Sequence, residues 1–582
     1  MPTLDWIGKD KVVNHHLDVP YRVLEHVYSY DAENGQQEAD NGSENMIIHG
    51  DNLEALKALL PLYEGRVKCI YIDPPYNTGE EGWIYNDNSN DPRILAWLGK
   101  VVGKEGEDLS RHDKWLCMMY PRLRLLQKLL ADDGAIFISI DDVEYTNLKA
   151  ICDEIFGSNC FVSNISWQRT YSTRNDSKGI VNEVEHILCY SKQPDWQPKK
   201  LPRTAEMNAK YKNPDNDVAP WRPDNPYAPG AATHQGMVYA IQHPFTGEMI
   251  YPSNGRCWTF GQDQMLSFMN EWTTYELREL DDVVKRAEIC GIEVENIRKG
   301  VPAIVLTKSL NESKHDAEII QENGPWPRFY FTKGGKGGIA RKTYLQNVGG
   351  KLPTNLWPFS ETGHTDEAKK EILAIFDNRA VFPTPKPSRL IEFILKIASD
   401  SDSIILDSFA GSAATAHAVL KANAADGGHR KFILAELMDY ADTITAERVK
   451  RVINGYGEGK SAVPGIPGDF SFYELGAPLF IGDNLNEDVN IDKIRAYVYF
   501  TETRQRIQPS PEPYFLGTDV DNAYYFYYER NQVTVLNRDF LRTIKVKAEN
   551  YVIYADQCVF TPDELNLFHI TFKKIPRDIS RM

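Results

Sequence analysis

No two of the eight cysteines in this sequence are spaced C-x-x-C. That excludes a zinc ribbon and a dithiol redox motif. Several of the thiols lie inside apolar runs and read as buried and reduced. No metal ion is expected. Long apolar runs are missing as well. A membrane span needs ~18 such residues, and the stretch AIFISI at 135–140 has only the length of a buried strand. The first residues, MPTLDW, carry neither a basic segment nor an apolar core, so no secretory leader is expected and a cytoplasmic location is the default. Positive charge is in deficit: 65 Lys and Arg stand against 82 Asp and Glu, a net charge of −17. Spread evenly, that charge would repel nucleic acid, so its placement matters.

What is present is a globular composition, with 42% hydrophobic, 25% charged and 11% aromatic residues over 582 positions. At ~150 residues per domain there is room for three or four domains. Residues 1–45 read as an N-terminal arm. Its end, DAENGQQEADNGSE at 31–44, has five acidic residues and no basic one, and reads as a flexible polar linker. Residues 46–192 alternate strands and helices: NMIIHGDN at 45–52, a helix carrying Leu53, Leu56, Leu59 and Leu60, the strand VKCIYI at 67–72, a helix from Pro121 to Leu130, and the strand at 135–140. Such alternation predicts a parallel α/β sheet. From 193 to 370 Pro, Trp, Asn and Gly become dense, as in PWRPDNPY at 220–227, and the alternation stops. It returns over 371–455, with helices at 390–398 and 414–423 and strands at 403–406 and 432–435. Residues 456–582 read as a small α+β region. One α/β domain is therefore split by an insert of a different kind.

The first chemical signal is Asp73-Pro74-Pro75-Tyr76-Asn77-Thr78-Gly79 after a buried strand. Asp-Pro-Pro ends any strand, but ligands of open α/β sheets bind at this carboxyl end. An exocyclic amino nitrogen of a base is a poor nucleophile, because its lone pair is delocalised into the ring. A carboxylate and a backbone carbonyl accepting its two N–H bonds would stabilise the charge that develops on attack. Asp73 and the Pro74 carbonyl would supply them, Pro75 would help fix the backbone, and Tyr76 would stack on a base flipped from the duplex.

The second signal is IILDSFAGSAATA at 404–416, a strand, a small-residue turn and a helix. Small residues let a ligand approach the backbone. Glu436 follows the next strand, 25 residues after Gly411, which is the spacing of a ribose-hydroxyl acceptor. The loop lacks G-x-G-x-x-G, which weakens a nicotinamide-dinucleotide reading.

Together these segments resemble the β-class amino-methyltransferases, in which the Asp-Pro-Pro-Tyr half precedes the S-adenosylmethionine half. More closely, the chain resembles the modification subunits of type III restriction–modification systems. GDNL at 50–53, DPPYNTG at 73–79, EHILCYSK at 185–192, FPTPKP at 382–387 and DGGHRKFIL at 426–434 carry the likeness over 45–192 and 353–455. The resemblance implies a circularly permuted Rossmann-like methyltransferase domain with a target-recognition domain inserted at 193–370. It implies methylation of adenine N6 in double-stranded DNA, with S-adenosylmethionine as cofactor. A homodimer and a separate helicase–nuclease restriction subunit are the implied partners. Aspartate at the first loop position favours adenine over cytosine N4. The cofactor would lie against Asp51, Asp407, Phe409, Ala410, Gly411, Ser412 and Glu436, with Lys386 near its methionine end. His186 reads as a packed, hydrogen-bonded histidine. The family loop usually reads FAGSGTT, whereas Ala413 and Ala414 stand here in place of the second Gly and first Thr. Ala413 fits if its φ is negative, and cofactor binding is expected to survive with some loss of affinity.

Within the insert, residues 328–351 contain six basic residues and no acidic one, interleaved with aromatics and glycines. Such a stretch suits a loop that follows a phosphate backbone, which makes Arg328, Lys333, Lys336, Arg341 and Lys342 the expected DNA contacts. GEGKS at 457–461 resembles the end of a phosphate-binding loop, but Asn454 occupies the required glycine position and no buried strand precedes it. Cleavage or translocation would need another chain. Two further readings stay open: a solitary adenine or cytosine-N4 methyltransferase, and a DNA-binding specificity protein whose altered cofactor loop has lost catalysis.

Overall fold

The computed structural model describes residues 3–77, 111–171, 180–505, 507–508 and 510–580; Thr78 and Gly79 lie outside the described residues. Two compact units divide the chain. One comprises Met1–Lys199 with Pro353–Met582, the other Lys200–Leu352.

The first unit is built on an eleven-stranded sheet. Its strands in chain order are β1 (Arg22–Asp31), β2 (Gly35–Gln37), β3 (Met46–His49), β4 (Val67–Ile72), β5 (Leu130–Ile140), β6 (Phe161–Gln168), β7 (Val184–Ser191), β8 (Leu356–Trp357), β9 (Ile404–Asp407), β10 (Lys431–Glu436) and β11 (Asp469–Pro478). Their order across the sheet is β8-β6-β7-β5-β4-β9-β10-β3-β11-β1-β2. All neighbours from β5 to β11 are parallel. Antiparallel pairing begins at β7 on one side and at β1 on the other. The central strands are apolar along most of their length, as strands buried on both faces must be: Ile70, Leu406 and Ile433 belong to one core and are fully buried. The connecting helices are α1 (Asn52–Tyr63), α2 (Arg111–Leu129), α3 (Asp142–Phe156), α4 (Thr365–Ile375), α5 (Ser388–Ala398), α6 (Ala414–Asp426) and α7 (Glu447–Asn454). A strand from before the insert, β4, lies beside one from after it, β9. The glycine loop thus follows the Asp73 loop in sequence yet neighbours it in space, which is the permuted order.

Several boundaries differ from the sequence reading. The N-terminal arm is not separate, because β1 pairs antiparallel with β11 and both join the main sheet. The acidic stretch is not a free linker. The Asp31 carboxylate accepts the N–H groups of Glu33 and Asn34 at 2.9 and 2.7 Å and turns the chain into β2. Turn-forming Asp, Asn and Gly have the composition of a linker, so the two look alike in sequence. Residues 353–370 belong with the first unit, since Leu356–Trp357 pairs with β6 and Trp357 is buried. Pro121 lies inside α2 rather than at a helix start. The preceding turn, Trp115 to Tyr120, is wholly buried, and packing of that face outweighs the helix-breaking tendency of proline.

The second unit holds a four-stranded sheet, Met249–Ile250, Ile241–Gln242, Ala303–Leu306 and Tyr275–Arg278, and a three-stranded one, Phe329–Phe331, Ile339–Tyr344 and Trp221–Asp224. Its core is aromatic, with Trp221, Trp258, Trp272, Phe329 and Phe331 buried together. Among the described residues no helix is long and apolar enough to cross a membrane.

Candidate active site

Because β4, β9, β10 and β3 are parallel neighbours, their carboxyl ends meet at one edge of the sheet. Asp73, Asp407, Glu436 and the Gly50–Asp51 turn all lie there. This is also where a strand from before the insert meets one from after it, the kind of crossover where open α/β sheets bind ligands.

The loop at 73–77 is clamped from both sides. Trp115 of α2 donates to the Pro75 carbonyl at 2.6 Å. Asn77, at φ 58°, donates to the buried Glu144 carboxylate of α3. The Pro74 carbonyl takes no hydrogen bond among the described residues, so of the two proline carbonyls it is the one left open.

Asp73 lies in a charged cluster that the sequence reading only partly contained. The Tyr76 hydroxyl is 2.7 Å from Asp73 Oδ1 and 2.6 Å from Glu185 Oε1. Lys386 Nζ donates to Asp73 Oδ1 and to the Tyr76 oxygen, both at 2.7 Å, and is paired with Glu185 Oε1 at 3.2 Å. Arg169 Nη1 is 3.6 Å from Glu185 Oε2. Burial pushes the Tyr76 phenol well up, and Asp73 and Glu185 push it the same way, so the hydroxyl keeps its proton. Burial opposes the Lys386 ammonium, but Asp73 and Glu185 outweigh it and hold its pKa above the ordinary value. The structure thus brings Lys386 to the aspartate loop. Glu185, which the sequence reading passed over, completes the cluster. Its signal was the one carboxylate in strand β7.

The glycine loop turns on Glu436. Its Oε2 accepts the Gly411 N–H at 2.7 Å and its Oε1 the Met438 N–H at 3.0 Å. Gly411 is at φ +49°, and a Cβ there would lie 2.9 Å from Phe382 Cζ, so only glycine fits. Ala410 N–H reaches back to the Ala435 carbonyl at 3.2 Å, and Phe409 packs half-buried against the main core. The buried Asp407 holds its own loop, accepting the Phe409 N–H at 3.0 Å and the Thr415 hydroxyl at 2.6 Å. Burial pushes both Asp407 and Glu436 up to about 7. Asp51 caps α1, accepting the Leu53 N–H at 2.7 Å, and is paired with buried Arg122 at 3.2 Å.

Behind the loop, fully buried Arg448 of α7 donates to the Ser412 carbonyl and hydroxyl, at 3.2 and 3.1 Å, and to Glu371 Oε2 at 2.8 Å. Burial alone would raise the Glu371 pKa; Arg448, His417 and Lys421 overcome it and bring it down to about 2. Neither partner was legible locally, since they stand 77 residues apart. Ala413 is corrected: its φ is +62°, not negative. The left-handed region costs an alanine ~1–2 kcal/mol, so the loop tolerates the substitution under strain. His186 is packed and bonded, with Nδ1 3.2 Å from Asn164 Oδ1 and Nε2 2.8 Å from Asp142 Oδ1.

In the second unit the five expected DNA contacts divide. Lys333 and Lys336 are exposed. Arg328 is exposed and lies over Phe260 and Phe268, 5.5 and 5.8 Å from the ring centroids. Arg341 is engaged with Asp224 Oδ2 at 2.6 Å. Lys342 is wholly buried, paired with Asp215 and, at 2.5 Å, with Asp217. Lys342 is a structural cation, a correction to the sequence reading, whereas Arg341 is ion-paired and half-buried. Their acidic partners lie more than a hundred residues upstream, outside the basic window.

The family model described as DNA methylase matches residues 67–487. The chain is 33% identical over 479 residues to the Mod subunit of the type III restriction-modification enzyme StyLTI of Salmonella typhimurium, covering 77% of this chain and 62% of that one. It is 27% identical to the EcoP15I Mod subunit of Escherichia coli, over 78% of this chain and 66% of that one. Against the type II methyltransferase M.KpnI of Klebsiella pneumoniae it is 29% identical, over 68% of this chain and 81% of the relative. The chain therefore spans about two thirds or less of the length of the two Mod subunits. With the match running through both the Asp73 loop and the Gly411 loop, the chain belongs to the N6/N4 DNA methylase family.

Proposed function

We propose that the chain is a DNA adenine-N6 methyltransferase dependent on S-adenosylmethionine, working as the modification subunit of a type III restriction–modification system. The observation that carries the reading is the juxtaposition of a lysine-paired Asp73, an open Pro74 carbonyl and Tyr76 after β4 with the Gly411–Glu436 cradle at β9 and β10. The names of the similar Mod subunits support the system. A restriction subunit and a second copy of this chain are the proposed partners. Long-read, methylation-sensitive sequencing of DNA from cells expressing the chain is expected to show N6-methyladenine at one motif. Unmodified DNA would refute the reading, and N4-methylcytosine would favour the cytosine alternative.

The residues present fit the cofactor. Glu436 offers carboxylate oxygens for ribose hydroxyls, and Gly411, with the Phe382 ring against its α-carbon, holds the left-handed turn of the loop beside them. S-adenosylmethionine supplies the electrophilic methyl when bound. Asp73 and the Pro74 carbonyl accept the two amino hydrogens of a flipped adenine and stabilise the positive charge growing on its nitrogen. Tyr76 stacks on the base. Lys386 Nζ donates to Asp73 Oδ1 at 2.7 Å and fixes that oxygen, which leaves Oδ2 for the amino group.

A pH dependence follows. Glu436 must be ionised to accept ribose hydroxyls, and its pKa in the folded chain is about 7. With a single such group, S-adenosylmethionine affinity is expected to rise about tenfold from pH 6 to pH 8. Glu436→Gln is expected to flatten this rise. Calorimetric titration checks both; pH-independent affinity in the wild type would refute the role. The linked stability runs the other way. A carboxyl group whose pKa is raised on folding stabilises the fold below its unfolded pKa, and that contribution is lost as pH rises towards 7.

For DNA, Lys333 and Lys336 are the proposed phosphate contacts in the second unit. Replacing both with glutamine is expected to reduce the slope of log affinity against log salt by ~2. An unchanged slope would remove them from the interface.

A further inference from the structure

The Tyr76 hydroxyl has one hydrogen and two carboxylates within reach, Asp73 Oδ1 at 2.7 Å and Glu185 Oε1 at 2.6 Å. Its lone pairs face Lys386 Nζ at 2.7 Å. The three donors of Lys386 match three acceptors: Asp73, Tyr76 and Glu185. The line carboxylate–hydroxyl–carboxylate is thereby fixed. Glu185 is buried, and the charged and titratable groups facing it are Asp73, Tyr71 and Tyr76 on β4 and its loop, Lys386 before α5, and Arg169 after β6. Holding a second buried carboxylate beside Asp73 is costly, and orienting Tyr76 would need only a neutral acceptor.

We propose that Glu185 is the sink for the proton shed by the adenine nitrogen, with the Tyr76 hydroxyl as conduit. The proposal rests on the methyltransferase reading above. As the methyl carbon–nitrogen bond forms, the carbon–sulfur bond of the sulfonium donor breaks with its electron pair going to sulfur, and the nitrogen becomes cationic. As that charge develops one N–H bond breaks, its electron pair stays on nitrogen, and the proton passes to the Asp73 carboxylate. A turn of that carboxyl presents the proton to the Tyr76 oxygen while Tyr76 gives its own to Glu185 Oε1. Asp73 and Tyr76 return to their starting states, and Glu185 ends protonated. Its other oxygen faces the partly exposed Arg169, where water takes the proton away. Because the transfer starts while charge is developing, it contributes to the rate. Glu185 is a positioning and relay residue, since it acts through Tyr76.

The test is single-turnover methyl transfer to DNA by the full chain, between pH 6 and 9. Glu185→Gln keeps the shape and an acceptor for Tyr76 but cannot take a proton. It is expected to slow transfer ~30-fold or more at neutral pH with KM for DNA and cofactor nearly unchanged, and its rate should climb with pH as solvent replaces the lost acceptor. Glu185→Asp should recover part of the rate. Tyr76→Phe keeps a ring for stacking and should lose a comparable factor, with the double variant only about twofold worse than the slower single one, because the two act in series. A Glu185→Gln rate and pH profile equal to wild type, or additive losses in the double variant, overturns the proposal. So does a loss of rate that tracks a lost thermal transition in both Glu185 variants. Absence of methyl transfer by the wild type overturns the methyltransferase reading and this proposal together, whereas wild-type activity with an unaffected Glu185→Gln overturns this proposal alone.

Discussion

Asp73→Ala is expected to lower single-turnover methyl transfer by ~10³-fold or more while leaving cofactor affinity close to wild type. Losing one preorganised group at a developing charge costs ~10²–10³ in rate. Here the loss is compounded, because Lys386 Nζ, 2.7 Å from Asp73 Oδ1, would remain as a cation beside a nitrogen that is itself becoming positive, with the nearer of its two carboxylates gone. Asp73→Asn retains an acceptor oxygen but no charge, so it should lose less. Folding should survive in both. Removing one partner of a buried ion pair costs ~3–5 kcal/mol when the other is left alone, but Lys386 keeps Glu185 at 3.2 Å. A thermal melt within a few degrees of wild type, together with the radiolabelled transfer rate, checks this. Activity within tenfold of wild type in Asp73→Ala would refute the assignment of Asp73.

The two loops that make the site were legible because their chemistry is local. Asp-Pro-Pro ends a strand wherever it occurs, and the small residues at 410–413 sit between a strand and a helix whose periodicities are plain in the sequence. What stayed hidden depends on pairings distant along the chain. Glu185 meets Tyr76 across 109 residues and Lys386 meets Asp73 across 313. No window of sequence shows that the lysine of FPTPKP will neutralise the aspartate of DPPY. The same holds for the sheet. β1 and β11 have the texture of an arm and a tail, yet they pair from Arg22–Pro478 to Asp31–Asp469, with two irregularities of register between. Ala413 illustrates the opposite limit. Its identity was visible, but whether a methyl is tolerated depends on φ, which only the folded turn sets.

Lys342 gives the sharpest separation between a charge read in sequence and a charge placed in a fold. Lys342→Ala is expected to destabilise the second unit by ~3–5 kcal/mol at neutral pH, the range found when one partner of a buried ion pair is removed. Three groups would lose their cation at once: Asp215, Asp217 and the Trp326 carbonyl. Some support for the two carboxylates survives, because Trp221 Nε1 still donates to Asp215 at 2.8 Å and the Tyr344 hydroxyl to Asp217 at 2.7 Å. The sign of the pH effect follows from Asp217. Burial pushes its pKa up, but the hydrogen bonds from Lys342 and Tyr344 prevail and hold it below the ordinary value. A carboxyl group whose pKa is depressed on folding contributes stability above its unfolded pKa and loses it as pH falls. The wild type therefore loses this contribution in acid, while protonation relieves the stranded Asp217 of the variant. The gap between the two should narrow towards pH ~4. Denaturant melts at neutral and acid pH measure that gap, and the salt slope of DNA binding, taken on the folded fraction, should match wild type. If Lys342→Ala proved as stable as wild type and flattened the salt slope, Lys342 would be a DNA contact after all. The opposite result leaves Lys333 and Lys336 as the exposed lysines of that basic window, with Lys342 holding the sheet on which they are carried.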